Sequence, residues 1–402
     1  MLTEEERRLV DENRGKDPAR LALSLRASRT IRPAIVAQQV DAYNRLAVKA
    51  PTWATHDGLE FPFPVAIQQC SSEPIARFRQ RLATGDSLID LTGGLGVDCY
   101  FMGEKRRSVT YVDASADAVA AARHNFAVLG VGNTRFENFK AEDFVAACIA
   151  KGVKVDTIFI DPSRRNATGG RVFQLSDCSP DITVMAPDMT KVAKNVLVKL
   201  SPLLDVTMTL KQLANVTDVY AIGHANECKD LMLRLSADPD VTDTRLHAVT
   251  VGDDGTPEHH VTFTRSDEKA ATAKLSSRLP RDGDFIFIPS PSLMKAAPFA
   301  LLTKMYPVRM IAPGTHVYTS EADVTDFPGR RFVVISVYDL SKRSLAELRK
   351  TTQSASVAVR NFGMTAEALR RKLKLGESSQ DFIFGLTGGD DKPHLLLCQK
   401  PT

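Results

Sequence analysis

The most constraining feature of the chain is the glycine-rich stretch Asp90-Leu91-Thr92-Gly93-Gly94-Leu95-Gly96-Val97-Asp98. It follows a short apolar run, Ser87–Ile89, that suits a buried strand, and it precedes a helix-like segment. A second strand, Ser108–Val112, then ends on Asp113. Strand, glycine turn, helix, strand and terminal acid form the first half of a nucleotide-binding α/β unit. In such a unit the glycines let the backbone approach a ligand, and the acid can accept hydrogen bonds from a ribose diol.

The order of residues in this loop separates two cofactor classes. The loop reads G-G-x-G with an acid before it, so the dinucleotide fingerprint G-x-G-x-x-G does not fit. An acid followed by such glycines resembles instead the S-adenosylmethionine loop of class I methyltransferases. A nicotinamide-dependent oxidoreductase is therefore the weaker interpretation, and it gives no role to the later pair Asp161-Pro162.

Length and composition set the broad class of protein. A chain of 402 residues is long enough for two to four domains, and its 43% apolar and 25% charged residues are typical of a soluble globular protein. The sequence has no run of about eighteen apolar residues that would predict a membrane span. The acidic segment Met1–Glu6 lacks the apolar core of a signal peptide. Six cysteines without a CxxC pair argue against a zinc site or a disulfide framework, so we expect a cytoplasmic protein without a metal.

The net charge of +4 is unevenly distributed. Between Arg330 and Lys374 there are eleven Lys/Arg residues against three Asp/Glu, a local excess of +8. A charge run of this kind is often only the solvated face of a helix. A basic C-terminal module beside a near-neutral unit is also typical of a protein that binds a polyanion, and we expect RNA as the partner.

Residues 1–75 are predicted to form an N-terminal helical region. Thr3 with Glu6 is a capping box, and Asp17-Pro18 is an N-cap followed by proline at the first helical position. A third helix is predicted from Pro33 to Val48. The polar run Gln68–Glu73 is either a simple loop with a helix N-cap or a segment that covers the mouth of the cofactor site.

From residue 88 the α/β pattern is regular, and charged residues follow four of its predicted strands. These residues are Asp90, Asp113, Asp161 and Lys199. Ligands gather at the carboxyl ends of strands in doubly wound sheets, so we expect the four side chains to share one edge. The junction after the third strand, at Ala141 and Glu142, is the candidate contact for an adenine ring.

The remainder of this unit is predicted to hold another strand, Val216–Gly223, and a helix that begins at Asn226–Asp230. A hairpin, Arg245–Val251 with His259–Phe263, is predicted around Gly252–Gly255 and closes the sheet. We therefore place the end of the domain near residue 265, before a polar linker over residues 266–280.

Two smaller α/β segments follow. The first is predicted to contain a strand at Phe285–Ile288, one helix over Ser292–Met305, and strands near Val308–Ile311 and His316–Tyr318. The second alternates strands and helices between Phe332 and Gln399 and carries the basic excess. No internal repeat is visible.

The residues after the fourth and fifth strands help to distinguish which kind of substrate atom accepts the methyl group. Enzymes that methylate exocyclic amines usually carry an aromatic residue after Asp-Pro-Pro, whereas here Ser163-Arg164-Arg165 follow Pro162. Methylation of pyrimidine carbon 5 needs a cysteine nucleophile, and Lys199-Leu200-Ser201-Pro202 has none; Cys228 is more simply a packed residue. Ribose 2′-O methylation could use Asp161, Lys199 and Glu227, although the first lysine of that arrangement is not evident.

Arg164 and Arg165 suit phosphate or substrate contacts, because guanidinium groups match phosphate geometry. The alternative is a structural ion pair with Asp177 or Asp181.

Several segments together resemble those of a bacterial family of uncharacterised class I methyltransferases: residues 69–73, 90–98, 160–165, 199–205 and 226–231. Those proteins carry a ferredoxin-like domain and a C-terminal THUMP-like domain. The resemblance covers nearly all of the chain from about residue 65. It implies S-adenosylmethionine as cofactor and, through the THUMP-like segment, an RNA substrate such as rRNA or tRNA.

The sequence therefore predicts an α/β protein with a Rossmann-like class I methyltransferase sheet, an N-terminal helical region and two small C-terminal α/β domains. The predicted boundaries are 1–75 for the helical region, 76–265 for the methyltransferase domain, 280–327 for the ferredoxin-like domain and 328–402 for the THUMP-like domain. Asp161 and Lys199 are the predicted catalytic residues, and Pro162, Ser163, Arg164 and Arg165 the predicted substrate contacts. The predicted cofactor contacts are Asp90, Thr92, Gly94, Gly96, Asp98, Asp113, Ala114, Glu142 and Asp161. The alternatives are a methyltransferase with a non-RNA substrate and a non-catalytic RNA-binding protein that retains the fold.

Overall fold

The computed structural model describes residues 2–26, 30–61, 67, 70–164, 175–237 and 243–401. The chain divides into two units. The first comprises Met1–Thr244 with Val251–Glu258, and the second comprises Arg245–Thr250 with His259–Thr402. Within the described residues, every helix is too short or too polar to cross a membrane.

The first unit begins with helices, as the sequence predicts. They are α1 (Glu4–Glu12), α2 (Pro18–Ser24), α3 (Pro33–Lys49), α4 (Pro51–Ala54) and α5 (Glu73–Leu82). The capping box at Thr3 and Glu6 is present, and Asp17 accepts hydrogen bonds from the first amides of α2. The buried face of α3 includes Val40 and Leu46, and the only tryptophan of the chain, Trp53, is fully buried.

The strands of the first unit follow in chain order: β1 (Ser87–Asp90), β2 (Ser108–Asp113), β3 (Thr134–Asn138), β4 (Val155–Ile160), β5 (Ser163–Arg164), β6 (Cys178–Ser179), β7 (Ala193–Leu200), β8 (Val216–His224) and β9 (Glu227–Ser236). Seven of them lie side by side in the order β8-β9-β7-β4-β1-β2-β3. The pairs from β7 to β3 are all parallel, and the strand order reverses at β1. This reversal creates the crevice where doubly wound sheets bind their ligands.

Helices connect these strands: α6 (Val97–Gly103), α7 (Ala116–Val128), α8 (Ala141–Ala150), α9 (Ile182–Val192) and α10 (Val206–Gln212). The central strands are apolar and almost completely buried; in β4, for example, Ile158, Phe159 and Ile160 are at most 1% exposed. Strands covered on both faces are expected of parallel sheets flanked by helices.

One prediction for this unit is wrong. The segment predicted to begin a helix at residues 226–230 is strand β9, which is antiparallel to both β7 and β8. Ala225 and Asn226 form a two-residue turn with φ values of 48° and 62°, the positive angles that type I′ hairpin turns require. The chain therefore reverses before Glu227, and the strand that closes the parallel sheet is β9. The predicted hairpin of residues 245–263 is also present, as β10 (Arg245–Val251) and β11 (Pro257–Thr264).

The second unit contains a seven-stranded sheet in the order β13-β14-β12-β15-β18-β17-β16. Its strands are β12 (Phe285–Pro289), β13 (Arg309–Met310), β14 (Tyr318–Ser320), β15 (Gly329–Asp339), β16 (Ser356–Arg360), β17 (Asp381–Thr387) and β18 (Pro393–Gln399). Its helices are α11 (Arg265–Ala270), α12 (Pro291–Ala296), α13 (Phe299–Met305), α14 (Lys342–Thr351) and α15 (Ala366–Leu373).

Two local expectations for the second unit are corrected. The single helix predicted over residues 292–305 is broken, because Ala297 has φ 65° and Pro298 cannot donate a backbone hydrogen bond. The predicted linker over residues 266–280 contains α11, which Thr264 and Asp267 start with a capping box.

The turn at Ala225 gives a stability prediction. Alanine carries a steric cost at positive φ that glycine does not, so Ala225→Gly should raise the free energy of unfolding by about 0.5–1 kcal/mol. Urea unfolding followed by Trp53 fluorescence would report on the first unit. The exposed helical change Ala146→Gly is the matched control and should lower the free energy of unfolding by about 1 kcal/mol. A loss of stability in Ala225→Gly would contradict the turn geometry.

Candidate active site

The carboxyl ends of four adjacent strands bring together the charged residues singled out in the sequence. Asp90 ends β1, Asp113 ends β2, Asp161 follows β4, and Lys199 is the penultimate residue of β7. The parallel registers place these four ends at one edge of the sheet. The expectation that they share an edge is met by the structure.

The glycine loop lies over this edge. The Gly93 amide donates to the Val112 carbonyl at 2.9 Å, so the loop is tied to β2. Gly94 is exposed and has φ 53°, and a Cβ atom there would have no heavy atom closer than 3.8 Å. Gly96 begins α6 with φ 93°, and a Cβ atom there would lie only 2.7 Å from the Phe126 ring. Gly94 therefore presents bare backbone to open space, while Gly96 is required by packing.

Asp113 is held by two backbone amides. Its Oδ2 accepts from Gly94 N at 2.9 Å, and its Oδ1 accepts from Ser115 N at 2.8 Å. An ionised carboxylate has about four acceptor positions, so two remain for a ligand. Ala114 is exposed beside it. This arrangement links the loop to the end of β2 and fixes the orientation of the carboxylate.

Asp90 lies beneath the loop and is 1% exposed. Its Oδ1 accepts from Thr92 N at 3.0 Å, and its Oδ2 is buried without a hydrogen-bond partner among the described residues. Burial raises the pKa of Asp90 well above its usual value, although the Thr92 amide opposes the shift. The Thr92 hydroxyl in turn accepts from Asp161 N at 2.7 Å. Thr92 therefore connects the loop to the start of the segment after β4.

Asp161 and Lys199 form an ion pair. Lys199 Nζ donates to Asp161 Oδ2 at 2.5 Å and to Ser71 Oγ at 3.3 Å. The Lys199 side chain is 13% exposed and that of Asp161 is 34% exposed. Burial alone would lower the pKa of Lys199, but the Asp161 carboxylate outweighs it and the pKa is raised. Lys199 is accordingly an ammonium at neutral pH, and it orients a carboxylate that remains partly open to solvent.

A buried arginine that the sequence reasoning missed supports this pair. The Arg79 side chain is 1% exposed and donates to Asp98 Oδ1, to Asp230 Oδ2 and to Ser71 Oγ, the last at 2.6 Å. Ser71 donates to Asp98 Oδ2 at 2.7 Å. We call these four residues, Ser71, Arg79, Asp98 and Asp230, the arginine cluster.

The charge of Asp98 depends on the arginine cluster. Burial by itself would raise the pKa of Asp98, but the charges of Arg79 and Lys199 and the bonds from Ser71 and Arg79 lower it. Both oxygens of Asp98 are engaged, by Arg79 and by Ser71. The predicted contact between Asp98 and a cofactor stays a prediction.

One signal for Arg79 was present in the sequence. In α5 the buried apolar residues include Ile75, Phe78 and Leu82, at helical spacing, and Arg79 falls on that same face. A charged residue on the apolar face of a helix needs a buried partner. Its partner Asp230, 151 residues away, has no comparable local signal.

The other predicted residues are placed as follows. Pro162 is half-buried, and Ser163 in β5 donates from Oγ to the Ser179 carbonyl at 3.3 Å. Arg164 pairs through its backbone with Cys178, and Arg165 lies outside the described residues. Glu142 is exposed in the first turn of α8. The alternative partner Asp181 caps α9 by accepting from Thr183 N.

Glu227 and Cys228, considered for other chemistries, lie at the start of β9. The Glu227 side chain is 69% exposed and pairs with Lys229. The described residues contain no group of three or more His, Cys, Asp or Glu side chains that could hold a metal ion.

The comparisons with known proteins bear on the whole architecture. Residues 285–328 match a ferredoxin-like domain family, and residues 329–400 match a family described as THUMP domain-like. The crystal structure of a candidate methyltransferase from Porphyromonas gingivalis W83 superposes with a TM-score of 0.87 at 28% identity, over 100% of both chains. The chain combines a class I methyltransferase fold with ferredoxin-like and THUMP-like domains. The predicted fold class is thus confirmed.

Curated relatives match over shorter segments. An uncharacterised S-adenosylmethionine-dependent methyltransferase of Mycobacterium tuberculosis is 30% identical over 35% of this chain and 36% of its own length. An uncharacterised RNA methyltransferase of Halalkalibacterium halodurans is 26% identical over 26% of this chain and 22% of its own length. The chain thus spans about a third or less of the length of these two relatives.

The arginine cluster gives a second stability prediction. Arg79→Met would leave the Asp98 and Asp230 carboxylates buried without their cation, so it should lower the free energy of unfolding by about 3–5 kcal/mol at pH 7. Arg81→Met, two positions along the same helix at an exposed site, is the control and should change stability little. Urea unfolding followed by Trp53 fluorescence measures both variants.

The effect of Arg79→Met should shrink at low pH. Because the folded-state pKa of Asp98 is lowered, its ion pair contributes stability above the unfolded carboxyl pKa, and that stability is lost as pH falls through the folded value. Protonation also removes the unpaired charge in the variant. The difference between wild type and variant should therefore be smaller near pH 3, below the unfolded carboxyl pKa, than at pH 7, and an equal difference at both would contradict the assignment.

Proposed function

We propose that the chain is an S-adenosylmethionine-dependent methyltransferase that acts on RNA. The observation that carries the first half is the edge where the open glycine loop, the fixed carboxylate of Asp113 and the Asp161–Lys199 pair lie at the ends of four adjacent strands. The full-length likeness to a candidate methyltransferase supports it.

The residues present fit the cofactor. Gly94 leaves the backbone bare toward open space, and Asp113 retains acceptor positions for a ribose diol. The residues that would hold the cofactor are Asp90, Thr92, Gly94, Gly96 and Asp98 on the methionine side, Asp113 and Ala114 at the ribose, and Glu142 near the adenine. When bound, S-adenosylmethionine supplies an electrophilic methyl group on a sulfonium.

Asp161 is the residue that faces the methyl acceptor in this proposal. Lys199 fixes one carboxylate oxygen, so the other can accept a hydrogen bond or a proton from the acceptor as its nucleophilic atom reacts. Such positioning brings donor and acceptor to reacting distance and is a large part of catalysis. Pro162, Ser163, Arg164 and Arg165 continue the chain from Asp161 and are the proposed substrate contacts.

Cys70 is not favoured as a nucleophile. Burial raises the pKa of Cys70 to about 11, so its thiol is protonated at neutral pH, and its Sγ donates to the Ile67 carbonyl at 3.2 Å. Covalent attack on pyrimidine carbon 5 requires a thiolate. Direct transfer to a nitrogen or oxygen atom, with Asp161 as hydrogen-bond acceptor, fits the site better.

RNA is proposed as the substrate on three grounds. The relatives include proteins named RNA methyltransferases, and residues 329–400 match the THUMP domain-like family. Most basic residues of α14 and α15 are exposed, including Lys342, Arg343, Lys350 and Arg371; Arg370 is half-buried and pairs with Glu377. Exposed cations on one module are the electrostatic requirement for binding a polyphosphate.

The six cysteines are free thiols, which suits the reducing cytoplasm that we propose as the location.

Cofactor binding is tested by calorimetric titration. S-adenosylhomocysteine should bind with saturation and NADH should not. Asp113→Ala should abolish the binding, because it removes the ribose acceptor and the link to Gly94. Asp117→Ala, an exposed acid four residues later, is the control and should bind normally. NADH binding would favour an oxidoreductase, and binding of RNA without either cofactor would favour a non-catalytic RNA-binding protein.

Methyl transfer is tested with labelled S-adenosylmethionine and RNA extracted from cells that lack the gene. Asp161→Asn should lower the rate of label incorporation by about 10²–10⁴-fold, a far larger effect than any change in its affinity for S-adenosylhomocysteine. The exposed change Asp143→Asn is the control. Full activity in Asp161→Asn would contradict the proposed role, and label in protein instead of RNA would contradict the substrate class.

A further inference from the structure

A cavity lies at one edge of the sheet in the second unit. Its volume is about 790 Å³, and its walls come from the start of β16, the first turns of α15 and the turn that leads into β17. β16 is the edge strand of this sheet, so no further strand closes the cavity on that side. Ligand pockets in proteins usually measure about 300–1,000 Å³, so the cavity is large enough for a group the size of a nucleotide.

The turn that forms one wall of the cavity is fixed by hydrogen bonds. The Ser378 hydroxyl accepts from the amides of Gln380 and Asp381, at 3.0 and 3.2 Å. The Ser378 carbonyl accepts from the Ser356 hydroxyl at 2.6 Å, which ties the turn to β16. The wall is therefore formed before any ligand binds, and a preformed wall lowers the entropic cost of binding.

An aromatic ring and a lysine line the cavity together. Phe382 is half-buried, and the Nζ atom of Lys400 lies 6.0 Å from the centre of its ring. The buried Phe332 ring packs against Phe382 with 4.8 Å between the ring centres. The guanidinium carbon of the exposed Arg330 lies 5.7 Å from the centre of the Phe332 ring. The core therefore holds Phe382 on one side, while part of its side chain remains accessible.

The two cations beside these rings are not neutralised by a neighbouring acid. Within the part of the chain that the structure describes, Lys400 and Arg330 form no ion pair. Arg370, which also lines the cavity, pairs with Glu377. The remaining charged residue of the lining, Glu367, would repel an anion beside it but can accept a hydrogen bond from the exocyclic amine of a base. The positive charge that an anion could meet in the cavity is therefore that of Lys400.

We propose that this cavity binds one nucleotide of a single-stranded segment of the RNA substrate, with the base stacked on Phe382 and an adjoining phosphate at Lys400. The inference rests on the proposed function and adds a contact on the second unit, whereas the candidate active site belongs to the first. An aromatic face beside a cation matches the two parts of a nucleotide, because every base has a face that stacks and every phosphate carries negative charge. Stacking tolerates any sequence, so the site would hold the strand without selecting a base.

Three other roles share part of this chemistry. A purely structural lysine would only shield the aromatic cluster from water with its aliphatic stem. An acidic peptide offers negative charge without a base, and a free nucleotide offers a base and a phosphate without a strand. Poly-L-glutamate and a mixture of nucleoside monophosphates are therefore the competitors that distinguish the last two from RNA.

The experiment measures binding of a fluorescein-labelled, mixed-sequence single-stranded RNA to the full chain by fluorescence anisotropy. Phe382→Leu keeps an apolar side chain against Phe332 but removes the stacking face, so it should weaken binding by about 5- to 150-fold. Phe382→Tyr should bind like the wild type. Phe362→Leu is the matched control, because Phe362 is also a half-buried phenylalanine but packs against the core beneath α14 and α15.

Lys400 is tested through the salt dependence of the same binding, between about 50 and 300 mM KCl. Lys400→Gln should make the slope of log Kobs against log salt concentration shallower by about 0.7, the value for one phosphate contact with a single strand. Lys400→Arg should retain the wild-type slope. Lys392→Gln, an exposed lysine just before the opposite end of β18, is the control and should also retain it.

Affinity for S-adenosylhomocysteine and the urea midpoint are measured on every variant. Weaker RNA binding in Phe382→Leu at an unchanged midpoint supports the proposal, and if the midpoint falls, the slope of Lys400→Gln decides. Wild-type RNA binding in both variants would overturn it, and so would equal displacement of the RNA by poly-L-glutamate or by the monophosphates. If the wild type binds S-adenosylhomocysteine but not RNA, this inference fails while the methyltransferase proposal survives. If it binds neither, the proposed function fails first.

Discussion

The sheet edge that carries the candidate active site depends on one buried guanidinium. Arg79 lies on α5, and its partners Asp98 and Asp230 lie on α6 and β9, so one side chain joins three elements that are far apart in sequence. Removing two carboxylates and a guanidinium from water costs free energy that offsets most of their mutual attraction, so such a cluster adds little net stability. The cluster instead fixes the positions of α5, α6 and β9 relative to one another. Asp98 is the second residue of α6, and its bond to Arg79 holds in place the helix that the glycine loop leads into.

Ser71 links the arginine cluster to the Asp161–Lys199 ion pair. Its hydroxyl accepts from Arg79 and from Lys199 and donates to Asp98, which uses the full capacity of a serine side chain. Lys199 in turn orients Asp161. The members of a connected buried hydrogen-bond network influence one another more than isolated pairs do. The orientation of Asp161 is therefore tied, through three side chains, to a helix that precedes the sheet.

Local patterns in the sequence were enough to predict most of the strands and the charged residues at four of their ends. The run Arg245–Val251 is a strand with the predicted limits, and Asp90, Asp113 and Lys199 lie where strand ends place them. The prediction failed at β9, because the polar run after Asn226 resembles the start of a helix. The turn before β9 instead has two residues with positive φ angles, and its geometry depends on the pairing of β9 with β8. Arg79 was missed for a related reason. Its place on the apolar face of α5 indicates that it needs a buried partner, but the fold brings the partner acids to it, and no local pattern identifies them.

The basic residues of the second unit lie on a single sheet that runs across the boundary between the two matched domain families. β12, from the ferredoxin-like match, pairs with β15, which begins the THUMP-like match, and β15 also pairs with β18. The apolar faces of α14 and α15 pack on this sheet through Leu348 and Leu369, which leaves their cations outward. Because β15 forms backbone hydrogen bonds with β12 on one side and β18 on the other, separating the two matched segments would expose an unpaired strand edge and buried side chains. The two families therefore form one cooperative sheet, and a polyanion bound by its cations would meet a fixed array of charges.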